Sequence, residues 1–213
     1  RLMERDAEAV EAVAEGLILS GVAMAYAEIS RPASGLEHYF SHLWEMFALR
    51  AGERSELHGI QVGIGTALTL QILDRLRGMR PDEQTAKRAA EAFDPKAWEA
   101  EMRRVFGSVA QTLIDKENTE WHKNDPDGRR ARFTRIRDHW DEIVQIMDEE
   151  LPDTAETVAL MRRLGLPTVP REIGVTDQQT LDAFRHSRDI RDKYLTSSML
   201  WDMGLLDTFP LDV

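Results

Sequence analysis

The chain of 213 residues contains no cysteine. Disulfides and thiol chemistry are therefore excluded, and any metal ion has to be held by His, Asp or Glu. The lack of cysteine also fits a cytoplasmic protein. Strand signals are missing, since no run of alternating β-branched residues is bounded by turns. The longest apolar stretch, 16–27, is short for a bilayer span, and no signal peptide precedes it. Positive charge is scarce: Lys and Arg number 27 against 38 Asp and Glu, a formal net charge of −11. Such a surface repels phosphate backbones, so neither nucleic acid nor membrane is expected as a partner. Arg129, Arg130, Arg132, Arg135 and Arg137 form the best basic cluster. Asp125, Asp127, Asp138, Asp141 and Glu142 surround it, so it reads as a solvated helix face.

What is present is helix. Hydrophobic residues make up 42% and charged residues 31% of the chain, enough apolar material to bury a core. The pattern predicts an all-α helical bundle forming one domain over 1–213. A first helix is expected over 2–29, apolar on most sides in its second half and therefore central to the bundle. Gly16, Ser20 and Gly21 would let its neighbours approach. Arg31-Pro32 breaks it. Ser34-Gly-Leu-Glu37 reads as a capping box that starts a second helix over 34–49. A polar connection over 50–56 leads to a third helix over 57–77. Further helices follow, with Asp94-Pro95, Asp153 and Thr176 as N-terminal caps. Long helices are expected over 128–150 and 186–204, a rigid connector over 166–170 and a hinge over 78–94. Arg1 stands inside helical sequence, as expected of a fragment or a processed product.

Three histidines form the constellation that carries chemistry. His38 and His42 are four apart and share a helix face. Both lie in the first turns of their helix, where the dipole disfavours imidazolium and keeps the ring in its metal-ligating form. His58 opens the next helix and returns toward His38 if the two helices are antiparallel. Two imidazoles fall short of the three protein ligands typical of catalytic zinc. Glu37 adjoins His38 but is assigned to the cap, and spacing places no other acid. On spacing alone, such a pair is more often ordinary surface or packed core than a metal site. His122, His139 and His186 read as structural. Gly59, Gly63 and Gly65 mark either close helix packing or ligand approach; Gly63-x-Gly65 is no dinucleotide fingerprint, since no strand precedes it.

The segment Ser30-Arg-Pro-Ala-Ser-Gly-Leu-Glu-His-Tyr-Phe-Ser-His42, followed by Leu43-Trp-Glu-Met46, resembles the metal-site segment of sn-glycerol-1-phosphate dehydrogenases. Leu57-His-Gly-Ile-Gln-Val-Gly-Ile-Gly-Thr66 resembles their second metal segment, which iron-type alcohol and glycerol dehydrogenases share more widely. Asp189-Ile-Arg-Asp-Lys-Tyr-Leu-Thr196 and Leu200-Trp-Asp-Met-Gly-Leu-Leu206 resemble the closing segment of bacterial members.

The resemblance implies the all-helical C-terminal domain of a two-domain enzyme, lacking its N-terminal Rossmann-like half. It implies His38 and His58 as metal ligands and His42 beside nicotinamide and substrate. It makes zinc the expected metal, with nickel or iron in some members. NAD or NADP would be bound mainly by the missing half. The family's third ligand is an aspartate upstream of the first histidine segment; Asp6 is the only one present here, and its spacing does not match. Arg31 and Ser34 are candidates for binding a small phosphorylated ketone or polyol. The expected partners are the chain's own nucleotide-binding half and further copies of itself, and the isolated chain is expected to be inactive. Two other readings stay open: a lyase of the dehydroquinate synthase type on the same fold, and a free-standing helical module without catalysis.

Overall fold

The centre of the molecule is an antiparallel pair of helices, α2 (Leu36–Ala51) and α3 (His58–Arg77). The computed structural model describes residues 1–29 and 33–211. On α3, Ile64, Leu68, Ile72 and Leu76 recur every four residues and are all buried, giving the apolar stripe that an amphipathic core helix needs. On α2, Leu36, Tyr39, Phe40 and Leu43 face it. The two backbones approach closely at Gly65. A Cβ there would stand 2.5 Å from the Glu37 carbonyl oxygen, so glycine is required and of the two readings of this residue helix packing holds. A Cβ at Gly59 would meet nothing, and one at Gly63 would touch only the Met161 methyl.

The other helices follow in chain order around α2 and α3, with the first of them apart from the core. They are α1 (Ala7–Ala27), α4 (Glu83–Glu91), α5 (Pro95–Phe106), α6 (Ala110–Lys116), α7 (Pro126–Asp138), α8 (Trp140–Glu150), α9 (Thr154–Arg163), α10 (Asp177–His186) and α11 (Thr196–Asp202). Among the described residues there is no strand, so the fold is all-α as expected. α10 packs on α2 through the stacked rings of Phe40 and Phe184, 6.4 Å apart. α9 packs on α3, and α4 and α11 pack on α7. Gly204, at φ +75°, ends α11 against α4, where a Cβ would stand 2.7 Å from Ala89 Cβ.

Local signals hold where they depend on neighbours in sequence. Asp94 accepts from Lys96 N and is followed by Pro95 at the first helical position. Asp153 accepts from Glu156 N, and Thr176 with Gln179 forms a reciprocal capping box.

Several longer-range expectations need correction. The segment expected to be a hinge carries α4. The helix expected over 128–150 is two helices, broken at His139, whose ψ of 17° leaves the helical region. Trp140 then turns into the core and donates to the Met79 carbonyl. The helix expected over 186–204 is a 3-10 turn at Ser187–Asp189, a loop and the short α11, because Arg188 and Asp189 are drawn into a buried ionic network.

α1 is not central. None of its residues is buried, and nothing lies within 4 Å of where a Cβ of Gly16 or Gly21 would be. By length and composition alone it is long and apolar enough to cross a bilayer, so the apolar stretch counted over 16–27 understates it. It begins at Asp6, which accepts from Glu8 N and Ala9 N.

Candidate metal centre

α2 and α3 bring the three predicted histidines together at one end of the pair. The ring centroids are 5.4 Å apart for His38 and His58, 5.5 Å for His42 and His58, and 6.4 Å for His38 and His42. The first two distances follow from the antiparallel pairing that Gly65 permits, the third from helical spacing. The side chains are 27%, 29% and 44% exposed for His38, His42 and His58. They therefore line a partly open face.

Each ring has a carboxylate beside Nδ1. His38 Nδ1 is 3.1 Å from Glu37 Oε1, and His58 Nδ1 is 3.0 Å from Glu45 Oε1. His42 Nδ1 lies farther from Glu45, at 3.7 Å. Ser41 Oγ, fully buried, is 2.9 Å from His58 Nδ1. An Nδ1–H that donates to a carboxylate fixes the tautomer and leaves Nε2 with a free lone pair. His38 and His58 both have Nδ1 within reach of such a bond. Burial lowers the pKa of His42, and the Arg191 charge adds to the shift while Glu45 opposes it. His42 is thereby held in its neutral form.

Glu45 is the residue that sequence reading missed. It sits three residues after His42, on the same face, and that spacing was the available signal. His42, Glu45 and His58 each place one ligand atom within 4.8 Å of the others. Glu45 can thus either ligate directly or orient His58. We favour orientation, because its Oε1 already lies at hydrogen-bonding distance from Nδ1.

Glu37 has two tasks: it accepts from Gly35 N at 2.7 Å and faces His38. The expected Ser34 cap is corrected by this geometry. The helix starts one residue later, its N-cap is Gly35, and no side chain caps it. Arg31 lies outside the described residues. His186 is buried and paired with Asp189, and His139 is an exposed partner of Glu142.

The basic cluster is only partly a solvated face. Arg130, Arg135 and Arg137 are exposed. Arg129 is buried over Trp201, and Arg132 makes a two-pronged bond with Asp202 at 2.8 and 2.9 Å.

Comparison with known proteins points in one direction. The chain is 27% identical over 199 residues to an NAD(P)+ glycerol-1-phosphate dehydrogenase of Bacillus licheniformis, covering 93% of this chain and 36% of that protein. It is 26% identical over 185 residues to the enzyme of that name from Bacillus velezensis, covering 87% of this chain and 34% of the relative. A shorter match to the one from Pyrococcus furiosus reaches 51% identity over 63 residues, 30% of this chain and 17% of the relative. No family model matches the chain. No solved structure matches it. The chain spans about a third of the length of the relatives that it matches most fully, and what it is similar to in sequence is glycerol-1-phosphate dehydrogenases.

Proposed function

We propose that this chain is the metal-bearing helical half of an NAD(P)-dependent dehydrogenase that interconverts dihydroxyacetone phosphate and sn-glycerol 1-phosphate. The observation that carries this reading is the convergence of three imidazoles, two with Nδ1 on a carboxylate, at a partly open end of α2 and α3. The donor set fits a divalent cation, zinc before nickel or iron: neutral nitrogen ligands with carboxylates behind them. His38 and His58 would hold it through Nε2. Bound there, a cation would supply Lewis-acid polarisation of a ketone oxygen.

The chain's own groups supply the rest. His42, kept neutral by burial, accepts or returns the proton at the substrate oxygen or its relay. Glu37 and Glu45 hold the His38 and His58 rings in orientation. Ser34 stands just ahead of α2 and is not spent on the cap, so it and Arg31 remain the residues proposed for the substrate phosphate. NAD or NADP supplies the hydride and would be held mainly by a nucleotide-binding half. The unburied apolar surface of α1 is available to that half or to another copy, and the compartment proposed is the cytoplasm.

The test is oxidation of NADH or NADPH in the presence of dihydroxyacetone phosphate and zinc. The chain alone should be inactive. A protein joining it to a nucleotide-binding half should be active and should lose at least about a hundredfold on His58→Ala. Turnover by the chain alone, or full activity of that variant, contradicts the proposal.

A further inference from the structure

His58 meets two groups at one ring nitrogen, and they pull its proton in opposite directions. Glu45 Oε1 lies 3.0 Å from Nδ1, and Ser41 Oγ lies 2.9 Å from the same atom. In a neutral imidazole one nitrogen carries the proton and the other accepts. An ionised carboxylate only accepts, so Glu45 favours the tautomer with the proton on Nδ1. A hydroxyl both donates and accepts. Ser41 is fully buried, and among the described residues His58 is its only hydrogen-bond partner. A buried O–H left without an acceptor is costly, so Ser41 favours donating to a bare Nδ1. That tautomer puts the ring proton on Nε2, the atom through which His58 would ligate.

Position explains why both groups reach the ring. Ser41 and Glu45 are four apart on α2, on one face with His38 and His42. Ser41 approaches from inside the helix pair and Glu45, 36% exposed, from the rim. A charge-assisted hydrogen bond is roughly twice as strong as a neutral one, so Glu45 prevails while its carboxylate is in place. His38 has no such conflict. Glu37 Oε1 is 3.1 Å from its Nδ1, and among the described residues no hydroxyl joins it there.

We propose that Glu45 and Ser41 together set the tautomer of His58. Glu45 holds the proton on Nδ1 and keeps Nε2 free; Ser41 draws the proton to Nε2 once that carboxylate is lost. Both are positioning residues that act through the ring. The inference rests on the reading of His58 as a metal ligand, but its first readout needs no metal, so the two can fail separately.

The experiment is nitrogen NMR of the histidine rings in the purified, metal-free chain at about pH 8, above the ordinary histidine pKa of about 6.5. His58 should carry its proton on Nδ1 in the unaltered chain and in Ser41→Ala, and on Nε2 alone in Glu45→Ala. Joining Ser41→Ala to Glu45→Ala should leave a mixture of the two tautomers. His38 should stay protonated on Nδ1 throughout, which ties the change to His58. Zinc affinity should fall about tenfold in Glu45→Ala. An Nε2 proton on His58 in the unaltered chain, or an Nδ1 proton kept in Glu45→Ala, overturns the proposal. So does a doubly substituted chain with the proton on Nε2 alone, because Ser41 would then not be the source of that preference. If Ser41→Ala fails to fold, the unaltered chain and Glu45→Ala still decide. Zinc binding to none of these forms would sink the metal reading and leave the tautomer result standing.

Discussion

The molecule has two polar clusters, and they are built on opposite plans. At the α2–α3 end, three imidazoles and two carboxylates stand at a partly exposed face. Between α7, α11 and the 3-10 turn at Ser187–Asp189, arginines and aspartates are sunk into the core, with Arg188, Asp189 and Asp202 at 4% exposure or less. In the buried cluster the carboxylates are saturated: Asp202 takes Arg132 and Tyr194, and Asp189 takes Arg188 and His186. Burial alone would raise the Asp189 carboxyl, but Arg188 and His186 hold it below the usual carboxylate range. In the histidine cluster the Nδ1 atoms of His38 and His58 each face a carboxylate, and among the described residues their Nε2 atoms have no hydrogen-bond partner. A network that closes on itself holds a fold, and one that leaves lone pairs toward an open face can take a ligand.

The sharpest way to break this contrast is to open the closed network. Asp202→Ala strands Arg132 and the Tyr194 hydroxyl inside the core, and should cost about 3–5 kcal/mol in urea unfolding. A loss below about 1 kcal/mol would mean that this cluster does not hold the fold. Next in size is Gly65→Ala, which forces a Cβ toward the Glu37 backbone. It should cost about 1–3 kcal/mol and weaken zinc binding as well, because it parts the helices that bring His38 and His58 together. Unchanged zinc affinity would separate the site from the packing.

The smallest effect lies in titration. Lys123 should titrate near 8 in the folded chain, followed by NMR of a labelled lysine methylene. Its unfolded value is higher, so the unfolded chain binds more protons between the two. Its burial therefore costs stability at neutral pH, and that cost is relieved as pH rises from about 8 toward the ordinary lysine value of about 10.4. A midpoint at the ordinary lysine value would show that the ammonium is solvated.

What could be read from the sequence divides along the same line. The histidine site was legible because its parts are local: His38 and His42 share one helix face, and a short connection returns His58. Glu45 was equally local and was passed over. The caps at Asp94, Asp153 and Thr176 depend on the next few residues and were legible for the same reason. The buried network was not, because Arg129 and Arg132 meet Trp201 and Asp202 about 70 residues away. The basic run therefore looked like solvated surface, and the 186–204 segment like continuous helix. Apolarity alone also misplaced α1: a run apolar on most sides says that a surface wants covering and leaves open what covers it.

The central claim is that His38 and His58, rather than the neighbouring set of His42, Glu45 and His58, hold the cation. Zinc competition against a chromophoric chelator, run on the chain and its single alanine variants with folding checked by circular dichroism, decides it. The account predicts that His38→Ala and His58→Ala each weaken zinc by about a hundredfold or more while His42→Ala changes it by less than about tenfold. Loss on His42→Ala with zinc affinity intact in His38→Ala would contradict it.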